Sequence, residues 1–201
     1  MGLTQTTKLM AVNTMLSVIG EAPVNTLDAA SQTADVILAK NLLDEVSREV
    51  QAAGWNFNRE TDVELSPASS TIILPTNTGR VDVEKVNADS KEYVQRGTKL
   101  YNKTDKTFTI DKTLKCTIVY MMDWEDLPES ARQYVMIRAA RKFQDRVVGS
   151  EKHHAFSQVD EFQALAALRD AEADSGDYTI FDNSDVYRVI NRGNVIGRIS
   201  T

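Results

Sequence analysis

Four carboxylates, Asp123, Glu125, Asp126 and Glu129, crowd around Trp124 within one short stretch of the chain. Two carboxylates beside an aromatic ring are the apparatus of glycoside hydrolysis, one as acid and the other as nucleophile or base. The same stretch lies where a strand-like run gives way to helical periodicity. There, acids are stabilised by the partial positive charge of a helix N-terminus without doing any chemistry. The structural role needs fewer coincidences and is the stronger reading. The remaining chemical groups are sparse. His153 and His154 are the only histidines. As helix neighbours they point about 100° apart and cannot easily share a metal. A serine or cysteine nucleophile would find no other imidazole to serve as its base. Cys116, the single cysteine, excludes an internal disulfide and a cysteine zinc site, and its strand-like surroundings mark a buried core thiol. Gly20, Gly54 and Gly149 fall at helix ends rather than in a phosphate-binding loop. No catalytic, cofactor or metal site is expected, which points to a structural subunit that works by packing against copies of itself and other proteins.

Composition bounds the alternatives. The chain has 201 residues, enough for one domain with a sizeable core or two small ones. Hydrophobic residues make up 42% and charged residues 26%, so a folded protein is expected. The formal net charge is -6. That argues against a DNA-binding module, because gripping nucleic acid requires clustered cations that displace counterions. Met1 to Met10 has no apolar run of leader length, and no stretch approaches the roughly 20 apolar residues of a membrane span. Synthesis in the cytoplasm is expected.

The elements that must position these residues follow from periodicity. Leu9, Val12, Leu16 and Ile19 predict a first helix over 4–19, closed by Gly20 and Pro23. Val36, Ala39, Leu43, Val46 and Val50 predict a second over 31–53, with Gly54 as its stop and Trp55 and Phe57 plugging the seam beyond it. From about Arg59 to Met121 the period falls to 2. Asp62–Leu65, Thr71–Leu74, Val81–Val86 and above all Cys116–Met121 read as strands, with turns at Arg96-Gly97 and Asn102–Asp105. Helical pattern returns at Leu127, with Met136, Ile137, Ala140, Phe143 and Val147 as the apolar face up to Gly149. A last helix runs to about Ser175 with Val159, Phe162 and Ala166 inward. The short connection makes these two an antiparallel hairpin. The fold class is therefore α+β: a four-helix bundle from residues 1–58 and 122–176, an inserted small antiparallel β domain at 59–121, and an extended C-terminal arm at 177–201.

Two charge sets stand out. The helix from Leu127 is basic through Arg138, Arg141 and Arg146, whereas the following helix carries Asp160, Glu161 and Asp170. Single exposed pairs contribute little. As a set, paired in a hairpin or across a subunit boundary, they can fix register between copies, and these six are the candidate subunit-interface residues. The arm has no helical stripe, yet Val189, Ile190 and Ile196 are too apolar for a solvated end, and Arg192 and Arg198 add positive charge. These five are the candidate partner contacts.

Three ordered blocks carry a resemblance. They are Ala11-Val12-Asn13 through Ile19–Leu27, then Gly54-Trp55-Asn56-Phe57-Asn58, then Asp126-Leu127-Pro128-Glu129 with Ala139–Phe143 up to Gly149. Together they resemble the tail tubular protein A family, the head-to-tail adaptors of T7-like short-tailed bacteriophages. The β domain and the residues after Asp177 match less clearly. The resemblance implies a structural virion protein of the tail. It implies a homo-oligomeric ring of twelve copies beneath the portal protein, carrying the tail nozzle protein on the other side. DNA then passes through the central channel during genome ejection without specific binding. An acidic chain suits such a channel wall, since like charges repel within a Debye length of roughly 8–10 Å. Complementary basic and acidic flanks suit heterologous, ring-closing contacts. The alternative is a virion-associated glycan hydrolase acting on host capsule or cell wall through the acids around Trp124.

Overall fold

A computed structural model describes residues 4–28, 33–84, 91–147 and 151–175, with side chains from residue 158 onward in the last helix. Among the described residues the chain is a mixed α and β structure with four α-helices and small antiparallel sheets. Helix α1 spans Lys8–Val18 and α2 spans Ala34–Gln51. Strands β1 (Arg59–Leu65), β2 (Thr78–Val83), β3 (Tyr93–Arg96), β4 (Lys99–Asn102) and β5 (Leu114–Tyr120) follow. Helices α3 (Glu129–Val147) and α4 (Glu151–Ser175) complete the order.

Threonine caps set where the first two helices begin. Thr7 is extended and its hydroxyl accepts from the Met10 N–H; Thr33 does the same for Val36. Such caps contribute about 1 kcal/mol each. They trim three or four residues from the helix starts that periodicity alone suggests. At the far end of α1, Gly20 has φ +83°, with Gly20 N–H bonded to Ser17 O and Glu21 N–H to Leu16 O. That pairing is a Schellman closure. The following loop is tied back by Asn13, whose amide donates to Val24 O and whose Oδ1 accepts from Val24 N–H, both at 2.9 Å.

One core joins the helices. Val12, Met15, Leu16, Leu43, Val46, Val135, Ala139 and Phe143 meet where α1, α2 and α3 pack on one another. Helix α4 lies against α3 and reaches this core through Leu168, which is completely buried. Truncating a leucine so placed costs about 2–5 kcal/mol. Trp55 and Phe57 pack partly buried against the same core, and the Trp55 indole donates to Val50 O at 2.8 Å.

Two helix faces differ from the expectation. On α3 the buried line is Ala131, Val135, Ala139 and Phe143; Met136 and Ile137 are half-buried and Val147 is exposed. On α4 two of the three residues expected inward, Val159 and Phe162, face outward, and Ala166 is half-buried. Val159 is 56% exposed and Phe162 70%. Glu161, Ala164, Leu165 and Leu168 turn toward α3 instead. An alanine-rich helix offers more than one apolar stripe, and the ion pairs of Glu161 select which one faces inward.

The β residues form a second core, with Ile72, Leu74, Leu100, Ile110, Leu114, Cys116 and Ile118 buried together. Strand β5 is central in a three-stranded antiparallel sheet of order β1-β5-β2, and β3 and β4 form a hairpin turned at Gly97, φ +61°. Thr71–Leu74 is not a sheet strand. Isolated bridges hold Thr71 to Ala68 and Ile73 to Lys99, Ile72 and Leu74 are buried, and Ile73 between them is 60% exposed. Lys85 and Val86, the end of the expected third run, lie outside the described residues.

The chain enters and leaves the β region side by side, because Arg59 on β1 pairs with Val119 on β5. Polar side chains close the seam. The Gln51 side chain bonds both Met122 N–H (2.7 Å) and Met122 O (3.1 Å), and the Asn58 amide donates to Gln51 O and Tyr120 O.

Candidate interaction surface

Of the acids around Trp124, Glu129 is built into a structural clasp, while Asp123, Glu125 and Asp126 are exposed. A short 3-10 turn over Trp124–Asp126 precedes α3 and buries the indole, which donates to Thr6 O at 3.0 Å. Glu129 opens α3 and uses both carboxylate oxygens on Thr6, accepting from its N–H (2.8 Å) and its hydroxyl (2.5 Å). The Gln133 amide donates to Glu129 as well, at 2.7 Å. Burial raises the affinity of this carboxyl for its proton, but the hydrogen bonds from Gln133 and Thr6, helped by Arg132, outweigh it and hold Glu129 below the usual range. A glycosidase acid needs the opposite shift. Arg132, itself buried, donates to Leu127 O (2.8 Å), Thr6 O (3.1 Å) and Glu125 O. The cluster therefore pins Thr6, just ahead of α1, to the start of α3.

The basic helix finds its acids within the chain. Arg138 donates to Glu161 on α4 at 2.6 Å and to Glu49 on α2 at 2.5 Å. Arg141 donates to the other oxygen of Glu161 and reaches Asp145 at 3.4 Å. Lys142 also meets Glu49, at 2.5 Å, and Arg146 pairs with Glu45 at 3.0 Å. The Lys142 contact, opposed by burial and joined by Arg138, holds Glu49 below the usual carboxylate range. Burial disfavours the Arg138 cation, but Glu49 and Glu161 more than compensate, so its charge is permanent. Glu45, Glu49 and Lys142 were not among the candidates. Their signal is the spacing of Glu45 and Glu49, four apart on one face of α2.

Of the six candidate interface residues, the structure thus brings Arg138, Arg141 and Glu161 into one cluster joining α2, α3 and α4. Arg146 sits at its exposed end. Asp160 is exposed and lines an apolar groove of about 400 Å³ with Thr14, Val18, Ile137, Ala140 and Ala164. Asp170 is exposed farther along α4. A second groove, about 530 Å³, runs between α3 and α4 beneath Val159 and Phe162. The arm candidates Val189, Ile190, Arg192, Ile196 and Arg198, together with Gly149 and the side chains of His153 and His154, lie outside the described residues.

Among the described residues no group of His, Cys, Asp and Glu is arranged to hold a metal ion, and no helix is long and apolar enough to cross a membrane. Cys116 is buried, and desolvation, reinforced by Glu84 and Asp82, pushes its thiol up to about 11. It is a core residue and not a nucleophile.

Comparison with known proteins agrees with the resemblance carried by the three blocks. A family model described as tail tubular protein matches residues 9–178. Tail tubular protein A of Klebsiella phage KP34 is 28% identical over 165 residues, covering 81% of this chain and 86% of that protein. The matched span runs from α1 to just beyond α4 and takes in both hydrophobic cores. The chain belongs to the tail tubular protein family.

Proposed function

We propose that the chain is the ring-forming subunit of a head-to-tail adaptor, joining a portal protein to a tail nozzle and lining the channel through which the genome leaves. Family membership makes it a structural component of a phage tail and not an enzyme. The adaptor reading goes further. The observation that carries it is the outward apolar line of α4, where Val159 and Phe162 stand over a groove and stay exposed although their own helix is firmly seated. Exposed aromatic and aliphatic side chains above a groove mark a protein contact rather than a solvated face.

In this reading the four helices act as one bundle and form the ring wall, and residues 59–121 project as a separate β domain. The line Val159–Phe162 meets the next copy. Asp160 and Asp170 flank it, while Arg138 and Arg141 hold α4 in place through Glu161. The β domain offers its own patch, with Arg96 stacked 3.6 Å over the Tyr101 ring and Tyr101 edge-on to Phe108 at 4.9 Å. Tyrosine and arginine are favoured at contact centres, and this patch is assigned to the nozzle side. Residues 177–201 serve as an arm toward the portal or an adjacent copy.

The test is Phe162→Glu, read by sedimentation and by pull-down with the portal. Assembly is expected to fall at least about tenfold, as for loss of a contact-centre aromatic, with the melting temperature unchanged. Undiminished assembly would remove α4 from the interface.

A further inference from the structure

A cleft of about 350 Å³ opens at the seam between the two cores, lined by Phe57, Asn58, Glu60, Tyr120, Asp123 and Asp126, with Asn77, Met121 and Met122 completing it. Its polar groups are almost all acceptors. Glu60, Asp123 and Asp126 contribute carboxylates, and no lysine or arginine lines it. Asn58 is 2% exposed; its amide N–H groups are used on Gln51 O and Tyr120 O, but its Oδ1 is buried without any hydrogen-bond partner. A buried acceptor left unmade costs about 1–3 kcal/mol, which a donor from outside would recover. The Tyr120 hydroxyl is already spent on Glu60. Among the described residues no group of His, Cys, Asp and Glu is arranged to hold a metal ion, and carboxylates beside two rings suit a wide, multi-donor cation. A guanidinium has five N–H donors in a plane and stacks on rings such as Phe57 and Tyr120.

The chain carries such a group close by. Helix α4 ends at Ser175, whose hydroxyl accepts from the Asn56 amide at 3.4 Å, and Glu172 accepts from the Asn56 N–H. Asn56 is two residues from Asn58, so the chain leaves α4 beside the cleft wall. The 26 residues beyond Ser175 include Arg188, Arg192 and Arg198 and no lysine. Extended at about 3.3–3.6 Å per residue, even the thirteen steps to Arg188 span more than 40 Å. We propose that the acidic cleft is the docking site for an arginine of residues 177–201, Arg188, Arg192 or Arg198, from the same or an adjacent copy. This rests on the arm reading and names where the arm binds.

The experiment is brief trypsin digestion of the full-length chain at low salt, with the C-terminal fragments timed by mass spectrometry. One of the three arginine bonds is expected to be cut about tenfold more slowly than the other two, because a docked side chain must release before cleavage. Asp123→Asn with Asp126→Asn is expected to abolish that protection. Three equal rates, or a slow bond indifferent to the double variant, would overturn the proposal. If the double variant misfolds, cysteine pairs decide. Asn77→Cys on the cleft wall, combined in turn with Val189→Cys, Gly193→Cys or Ile199→Cys beside each arginine, should oxidise to a disulfide faster in one of the three than the same partners with Asp160→Cys, and the product mass tells whose arm it is. Equal rates would overturn the proposal. Deleting 177–201 separates the two ideas: lost assembly without arginine protection leaves the arm reading standing and removes only the cleft.

Discussion

Glu161 is the carboxylate on which the seating of α4 turns, and its removal gives a quantitative test. It is 13% exposed and accepts from Arg138 and Arg141, whose side chains are 24% and 18% exposed. After Glu161→Ala, Arg138 keeps Glu49 and Arg141 keeps a long contact to Asp145 at 3.4 Å. Two charge-assisted hydrogen bonds contribute about 1.5–3 kcal/mol each when well buried, and partial exposure roughly halves that. The expected loss is about 1.5–3 kcal/mol. For a chain of this size that lowers the melting temperature by about 3–12 °C. Urea denaturation monitored by circular dichroism is the assay, with Asp160→Ala, one residue away on the exposed side, as the control expected within about 0.5 kcal/mol. Glu161→Gln, which keeps the volume and one acceptor, should fall between them. If Glu161→Ala and Asp160→Ala shift the midpoint equally, the ion pairs do not hold α4, and another cause must be found for its exposed apolar line.

Other consequences follow from single positions. Gly54 has φ +77°, and a Cβ there would sit 2.9 Å from Val119 Cγ2 and 3.0 Å from an Arg80 nitrogen. Gly54→Ala should cost about 2–4 kcal/mol through left-handed strain and overpacking together, whereas Gly20→Ala, at φ +83° with no neighbour within 4 Å, should cost only about 1–2; equal urea midpoints would contradict this. Because Glu129 is held below the usual carboxylate range, its contribution is complete above the unfolded value and is lost as pH falls through the folded one. The stability gap between wild type and Glu129→Gln should accordingly be constant near neutrality and close below about pH 4, as read by urea midpoints across pH. Cys116, with its thiol pushed up to about 11, should resist a thiol reagent at pH 8 in the folded chain and react fully in urea; prompt labelling of folded protein would show that the β core is open.

What the sequence discloses and what it withholds divide along physical lines. Local chemistry was legible. Gly20 closes α1 because only glycine accepts that φ freely, the buried face of α2 follows its stripe, and β5 is announced by its run of β-branched residues. The structural role of Glu129, one of the Trp124 acids, was legible too, although the partner, Thr6, lies more than a hundred residues away and leaves no pattern of its own. Helix rotation was not legible. In α4 two apolar stripes compete, and the inward one is chosen by Glu161 meeting arginines on another helix. Thr71–Leu74 was half legible: it alternates and pairs with β4 through an Ile73–Lys99 bridge, but the pairing is too short to extend into a sheet strand. Of the candidate surface, the charges were visible but their partners on α2 were not, because pairing between helices depends on tertiary placement.

The adaptor role itself is tested most directly by mass. The full-length protein, alone and mixed with the portal of its phage, would be measured by native mass spectrometry. A closed ring of many copies, formed alone or on the portal, is the predicted result. A monomer that stays monomeric and ignores the portal would contradict the adaptor role.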